Sequence, residues 1–325
     1  MESDLWEKGG GKMKKFTIVS LITSGVMLLL GIIMVIIGVT TGGIRIIRSF
    51  IFDETRTIFD HLNTGWNIVQ QEMGFGFSTG FMGDHFTVSY NDNYSVYTTG
   101  RYTDPLAVSA NEVTDIEIYM TAGDLDIVES DADDIGIEWN GVGKFQYYVE
   151  DHTLYVISLD DLGDLTISLP EDLEIKTYQL SAAAGDVEVE SIKAEETMIY
   201  LGACDMTVDW LETDNLKIET GACSLDILNG TVGNMDASYS ASEITYQGHI
   251  TGDADFRGSM GDLELTIYGD SDQFNYNINS ALGNVDIPGC HVAGWSQNTT
   301  VNNSASKEMS ITSSMGNVEV IFSTR

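Results

Sequence analysis

Between residues 185 and 265 the apolar positions fall into columns. Gly185, Cys204, Cys223, Ser242 and Gly261 follow one another at steps of 19 residues. Two places after each comes Val187, Met206, Leu225, Ile244 or Leu263, and four places after comes Val189, Val208, Ile227, Tyr246 or Leu265, with polar residues between. Alternation with period two is the mark of a strand buried on one face. A third apolar column, Leu180, Ile199, Ile218, Ala237 and Phe256, lies five places before the small residue and predicts a second strand per unit. The series extends to Gly283 and Gly316 at steps of 22 and 33, with an outlying member at Gly123. Short strands between 135 and 169 read as a hairpin rather than a full unit.

A unit of this length cannot bury its own apolar face, so successive units must stack, at about 4.8 Å per strand. The pattern predicts an all-β ectodomain over residues 105–325, a β-solenoid of two-strand repeats with parallel, in-register strands. An antiparallel sandwich is the alternative, but it gives no reason for identical steps. The outward column three places after the small residue reads Glu188, Thr207, Asp226, Thr245 and Glu264. Acid alternating with threonine is what stacked neighbours require, because like charges placed opposite one another destabilise a sheet.

Upstream the pattern changes. Residues 16–39 are 24 residues without a charge, enough to cross a hydrocarbon core of about 30 Å as a helix. The run exceeds a signal-peptide core and lacks a small-x-small cleavage site, so residues 16–40 are expected to be an uncleaved transmembrane helix. Lys8, Lys12, Lys14 and Lys15 precede it, which places the N-terminus inside and the remainder outside the cell. Met13-Lys14-Lys15 is itself a plausible opening, and residues 1–12 resemble a translated ribosome-binding site. Ile44, Ile47, Ile51, Ile58, Leu62 and Val69 recur at helical spacing, predicting a juxtamembrane helix over 41–72. Residues 73–104, rich in Gly, Phe, Tyr and Asn, carry neither period and are expected to be a loop-rich segment.

Composition narrows the function. The chain has 15 Lys and Arg against 50 Asp and Glu, a formal net charge of -35, which repels nucleic acid and anionic headgroups. Its three cysteines and five histidines show no zinc-ligand spacing, and Cys204 and Cys223 read as members of the small-residue column rather than as a redox pair. No nucleophile-elbow, zincin or phosphate-loop motif is present. Acids on neighbouring coils serve polysaccharide-cleaving β-helices, but few basic residues, chiefly Lys193, Lys217 and Arg257, accompany them here. Acid runs at Asp131–Asp134 and Asp270–Asp272 offer oxygen ligands, so Ca2+ is the one cofactor to consider, although neither run matches a known calcium loop. The widest departure from the repeat, between Gly283 and Gly316, is expected to be a contact loop bearing Cys290, His291 and Trp295.

The units Ala184-Gly185-Asp186-Val187-Glu188-Val189 and Met260-Gly261-Asp262-Leu263-Glu264-Leu265, recurring behind one membrane helix, resemble those of bacterial membrane-anchored proteins carrying the "putative adhesin" domain of unknown function. That resemblance covers about residues 105–325 and departs from the family's Gly-Asp signature at Cys204, Cys223 and Ser242. It implies a surface-exposed solenoid without catalytic residues, engaged with a cell-envelope ligand or a membrane-protein partner. An accessory role in envelope-stress sensing is the second expectation, and a polysaccharide-active enzyme the third.

Overall fold

The computed structural model describes residues 88–101 and 106–323. The chain divides into two units, Met1–Arg56 and Thr57–Arg325, and every described residue belongs to the second. The expected transmembrane and juxtamembrane helices lie outside the described residues. Among those described, no helix is long and apolar enough to cross a membrane.

Among the described residues eleven strands run in chain order: β1 (Val96–Arg101), β2 (Leu106–Ser109), β3 (Asp115–Ser130), β4 (Asp134–Glu150), β5 (Thr153–Pro170), β6 (Ile175–Thr220), β7 (Ser224–Ile250), β8 (Ala254–Tyr268), β9 (Phe274–Ile287), β10 (Cys290–Val301) and β11 (Lys307–Ser323). β1 occupies part of the segment expected to be loop-rich. β6 and β7 are long because the chain passes through corners without leaving the sheet. In-register parallel pairing joins β6 to β7 through Met206 and Leu225, and β7 to β8 through Ile244 and Leu263. The 19-residue offset of the sequence is therefore the offset of the coils, and the parallel solenoid replaces the sandwich alternative. All three apolar columns are buried, from Leu180, Val187 and Val189 at one end to Ile311, Val318 and Val320 at the other. They form one continuous core.

Large and small residues interdigitate inside it. The Tyr246 ring fills the space a side chain at Gly230 would take, and the Tyr239 ring does the same at Gly258. The outward alternation also holds: Thr207 sits opposite Asp226, and Thr245 opposite Glu264.

Both ends depart from the central order, which runs β1-β4-β5-β3-β6-β7-β8-β11-β9-β10, with β2 also on β4. At one end β4 and β5 form the expected antiparallel hairpin, and β5 lies parallel to β3 on the side away from β6. At the other end β11 inserts between β8 and β9, so Gly316 lies beside Gly261 and Gly283 comes after it. The spatial series is thus not the chain series. The expected contact loop is corrected too: residues 290–301 form an antiparallel edge strand on β9, turned by Pro288-Gly289 between the partners Ile287 and Cys290. Antiparallel strands at both ends close the parallel stack, as terminal caps close repeat proteins.

Candidate functional site

The place of each corner residue is set by the coil. One position before the small-residue column lie Ala184, Ala203, Ala222 and Ala241 in successive coils. In the last three coils the same outward corner holds Met260, Met315 and Leu282, exposed by 37%, 42% and 43%. Met315 is in register with Leu282, and Leu282 with Trp295 of β10. The backbone and side chain of Asn317, two residues past Met315, bond to the Asp262 carboxylate and fix the adjacent rung. Adjacent strands lie about 4.8 Å apart, so three large apolar side chains succeed one another along one edge, and the fourth register position belongs to a tryptophan.

Polar and acidic rows follow this ridge along the chain. One place after the small residue run Asp262, Asn317 and Asn284, held by the Asn317 bonds to Asp262 and by the Asn284 amide donating to Asn317 at 3.3 Å. Three places after it, Glu264, Glu319 and Asp286 are direct register neighbours with no threonine between them. On a neighbouring part of the sheet Arg257 spans Asp236, at 3.0 Å, and Asp255. An apolar strip with three stacked carboxylates four residues further along suits a partner that offers apolar groups and positive charge.

The residues singled out in the sequence fall in separate places. Trp295 takes the register position opposite Leu282. His291 lies with the acid row instead: it pairs with Asp286 across β9 and β10, with Nδ1 3.7 Å from the carboxylate and both side chains mostly exposed. The two lie four residues apart on one strand, roughly 13 Å. Cys290 is half-buried against the core, and burial pushes its thiol up from the ordinary value. The first acid run lines a cavity of about 550 Å³ with Ser130, Glu171 and Asp172. Among the described residues, no three of His, Cys, Asp or Glu gather as metal ligands.

The small-residue column has chemistry that its size alone did not announce. The Cys204 thiol donates to the Ala182 carbonyl at 3.0 Å, Cys223 to Gly202 at 3.1 Å, and the Ser242 hydroxyl to Gly221 at 3.1 Å. In return the Cys204 N–H donates to the Cys223 sulfur, and the Cys223 N–H to the Ser242 oxygen. The hydrogen bond to Cys223, then burial, push the Cys204 thiol up from its ordinary value. Serine in a column with two cysteines was the available signal for this ladder.

The family model for Toastrack DUF4097 matches residues 78–321. The chain belongs to this family. No curated protein matches. Among solved structures, a "putative adhesin" from Parabacteroides distasonis is 14% identical, with a TM-score of 0.38, covering 67% of this chain and 96% of its own. A "putative adhesin" from Bacteroides fragilis is 13% identical, with a TM-score of 0.35 and coverages of 68% and 99%. A "putative cell adhesion protein" from Clostridium sporogenes is 13% identical, with a TM-score of 0.29 and coverages of 68% and 98%. The Toastrack match spans every coil described above, including the ridge.

Proposed function

We propose that this Toastrack chain is a non-enzymatic binding module, tethered by residues 16–40 with its N-terminus inside, that presents its solenoid outside the cell for adhesion or envelope association. One observation carries the reading: large exposed apolar residues occupy the outward corner of three adjacent coils where the other coils carry alanine. Exposed apolar side chains gain by covering their surface, and methionine adapts to the shape of what covers it. The three stacked acids four residues further along select a partner with cationic groups, and the overall charge speeds its arrival. The apolar run at 16–39 supports the tether, and the acidic character of the chain beyond it supports the outer location.

The test is cross-linking capture on intact cells, comparing the full chain with a variant carrying M260S, M315S and L282S. The expected result is at least a tenfold loss of the captured partner with unchanged surface display, together with weaker wild-type capture at high salt. Equal capture by both chains would refute the ridge as the contact surface. Cleavage of the solenoid by protease added outside the cell checks the topology, and full protection would refute it.

A further inference from the structure

The sheet ends in two unlike edges. Among the described residues β1 and β10 are its outermost strands. β1 has only 6 residues, its pairing with β4 shifts register between Thr98 and Gly100, and it ends in Arg101. Short length, an irregular register and a basic residue are the means by which an edge is kept from recruiting another strand. β10 has none of them. Its 12 residues pair with β9 without a shift from Cys290 opposite Ile287 to Val301 opposite Tyr276, and they include no Pro, Lys, Arg, Asp or Glu. The other side of β10 is therefore a regular row of backbone N–H and C=O groups, and no described strand pairs with it.

Charge sets what that row can accept. The chain is 20% charged residues with a net charge of -35, yet from Ile287 to Ser306 there is no Asp, Glu, Lys or Arg, the longest such run among the described residues. The carboxylate next to this run, Asp286, faces His291 at 3.7 Å. A cationic partner is drawn to the acid row of Glu264, Glu319 and Asp286 and gains nothing at a neutral edge. Two copies of the chain repel one another over most of their surface, and β10 is where that repulsion is least. The strand that suits this edge is uncharged, regular and free of proline. β10 is itself such a strand.

We propose that β10 pairs antiparallel with β10 of a second copy of this chain about a twofold axis, joining the two sheets edge to edge. A strand paired with its own image is satisfied in both copies at once, so the assembly closes at two chains. Pairing β10 with β1 of the next copy would leave open ends and build a filament, and the register shift in β1 stands against it. With 12 residues rising about 3.4 Å each, the contact is roughly 40 Å long and is carried mainly by backbone hydrogen bonds, as in strand addition to an exposed edge. Asn298 and Thr300, exposed and in register with the exposed Asn279 and Asn277 of β9, then lie at the seam.

Photo-cross-linking between two differently tagged copies of the full chain in membranes tests the pairing. With benzoylphenylalanine replacing Thr300, irradiation should join that position to a peptide within 287–306 of the other copy, while the probe at Arg257 should not. A product with residues 96–101 of the other copy, with the same copy, with another protein or with lipid, or no product, would overturn the proposal. Like charge at the seam gives a second readout. Asn298→Asp with Thr300→Asp sets new carboxylates on both sides of the axis, and with the probe at His291 it should lower the inter-copy product at least tenfold while sheet melting is retained. An undiminished product from that folded variant would overturn the pairing as well. Neither readout uses the Met260 ridge, so the two proposals stand or fall separately.

Discussion

Gly261 and Cys223 occupy the same corner two coils apart, and they turn the chain by different means. At Gly261 the backbone takes φ 126°, in the left-handed region, and lies so near the Ser242 carbonyl that a Cβ would overlap it. Gly185 and Gly316 repeat the arrangement against Gly123 and Gly261. At Cys223 the backbone stays in the ordinary region, and a buried thiol donates to the Gly202 carbonyl and accepts from the Cys204 N–H of the coil before it. One corner relies on the absence of a side chain, the other on a small polar one. The column therefore asks for two separate things, and replacements that suit one kind of corner fail at the other.

The largest effect is expected at the glycine corner. Gly261→Ala places a methyl group against backbone that is itself held in the ladder, and adds the left-handed penalty of about 1–2 kcal/mol. A loss of about 3 kcal/mol or more is expected, a fall in Tm of roughly 6–12 °C for a domain of this size. Gly289→Ala is the control, because Gly289 also has positive φ, 84°, but nothing within 4 Å. It should lose only the backbone share. Thermal unfolding followed by circular dichroism separates them, and equal losses would mean that close approach contributes nothing.

At the polar corner the second prediction is Cys223→Ala. It removes the thiol donor to the Gly202 carbonyl, which keeps the Ala222 N–H at 2.8 Å, and leaves the buried Cys204 N–H without its acceptor, at about 1–3 kcal/mol for that orphaned group. Cys204→Ala removes only the donor to Ala182 among the bonds described, and should cost less. A reversed order would show that packing, not the ladder, governs these corners.

How much of this was legible beforehand rests on the same distinction. Columns of Leu, Ile and Val announce their burial through period two, so the coil and its register were readable from residues such as Leu225 and Ile244. The order of the last coils was not, because nothing in Gly283 or Gly316 records which of them meets Gly261. Adjacency in the chain was the natural default, and β11 breaks it. Strand β10 had one available sign, the Pro288-Gly289 pair between Val285-Asp286-Ile287 and Cys290-His291-Val292, a two-residue turn flanked by alternating residues. Its Gly, Asn and Ser content hid it. The ridge escaped for the same reason as the coil order: Trp295 was visible, but Leu282, Met315 and Met260 become its neighbours only once β11 is inserted.

The interior tyrosines extend the comparison to polar groups that do or do not close a hydrogen bond. The Tyr246 hydroxyl donates to the His249 carbonyl at 2.8 Å, whereas the fully buried Tyr178 hydroxyl has no partner among the described residues. Tyr178→Phe should therefore stabilise by about 1 kcal/mol, and Tyr246→Phe should destabilise by a similar amount. Burial pushes the Tyr178 pKa upward from 10.0. An acid whose folded pKa is raised contributes stability that is whole below its unfolded value and is lost as pH rises beyond it. Tyr178→Phe should thus flatten the loss of stability above about pH 10. An unchanged alkaline limb would mean that the hydroxyl ionises without opening the core.

The smallest effect is expected where the corner keeps a polar group of another element. Cys204→Ser with Cys223→Ser should change stability by less than about 1 kcal/mol. Ser242 already performs both tasks in this column, donating to Gly221 at 3.1 Å and accepting from the Cys223 N–H at 3.2 Å. The hydroxyl is smaller than the thiol, so some packing is lost, while its hydrogen bonds are stronger, and the two changes oppose each other. Capture through the Met260 ridge should be unaltered, because neither thiol reaches the outer corner. If the double variant instead falls by as much as Cys223→Ala, sulfur itself is required, and Ser242 is a tolerated exception rather than evidence of what the corner needs.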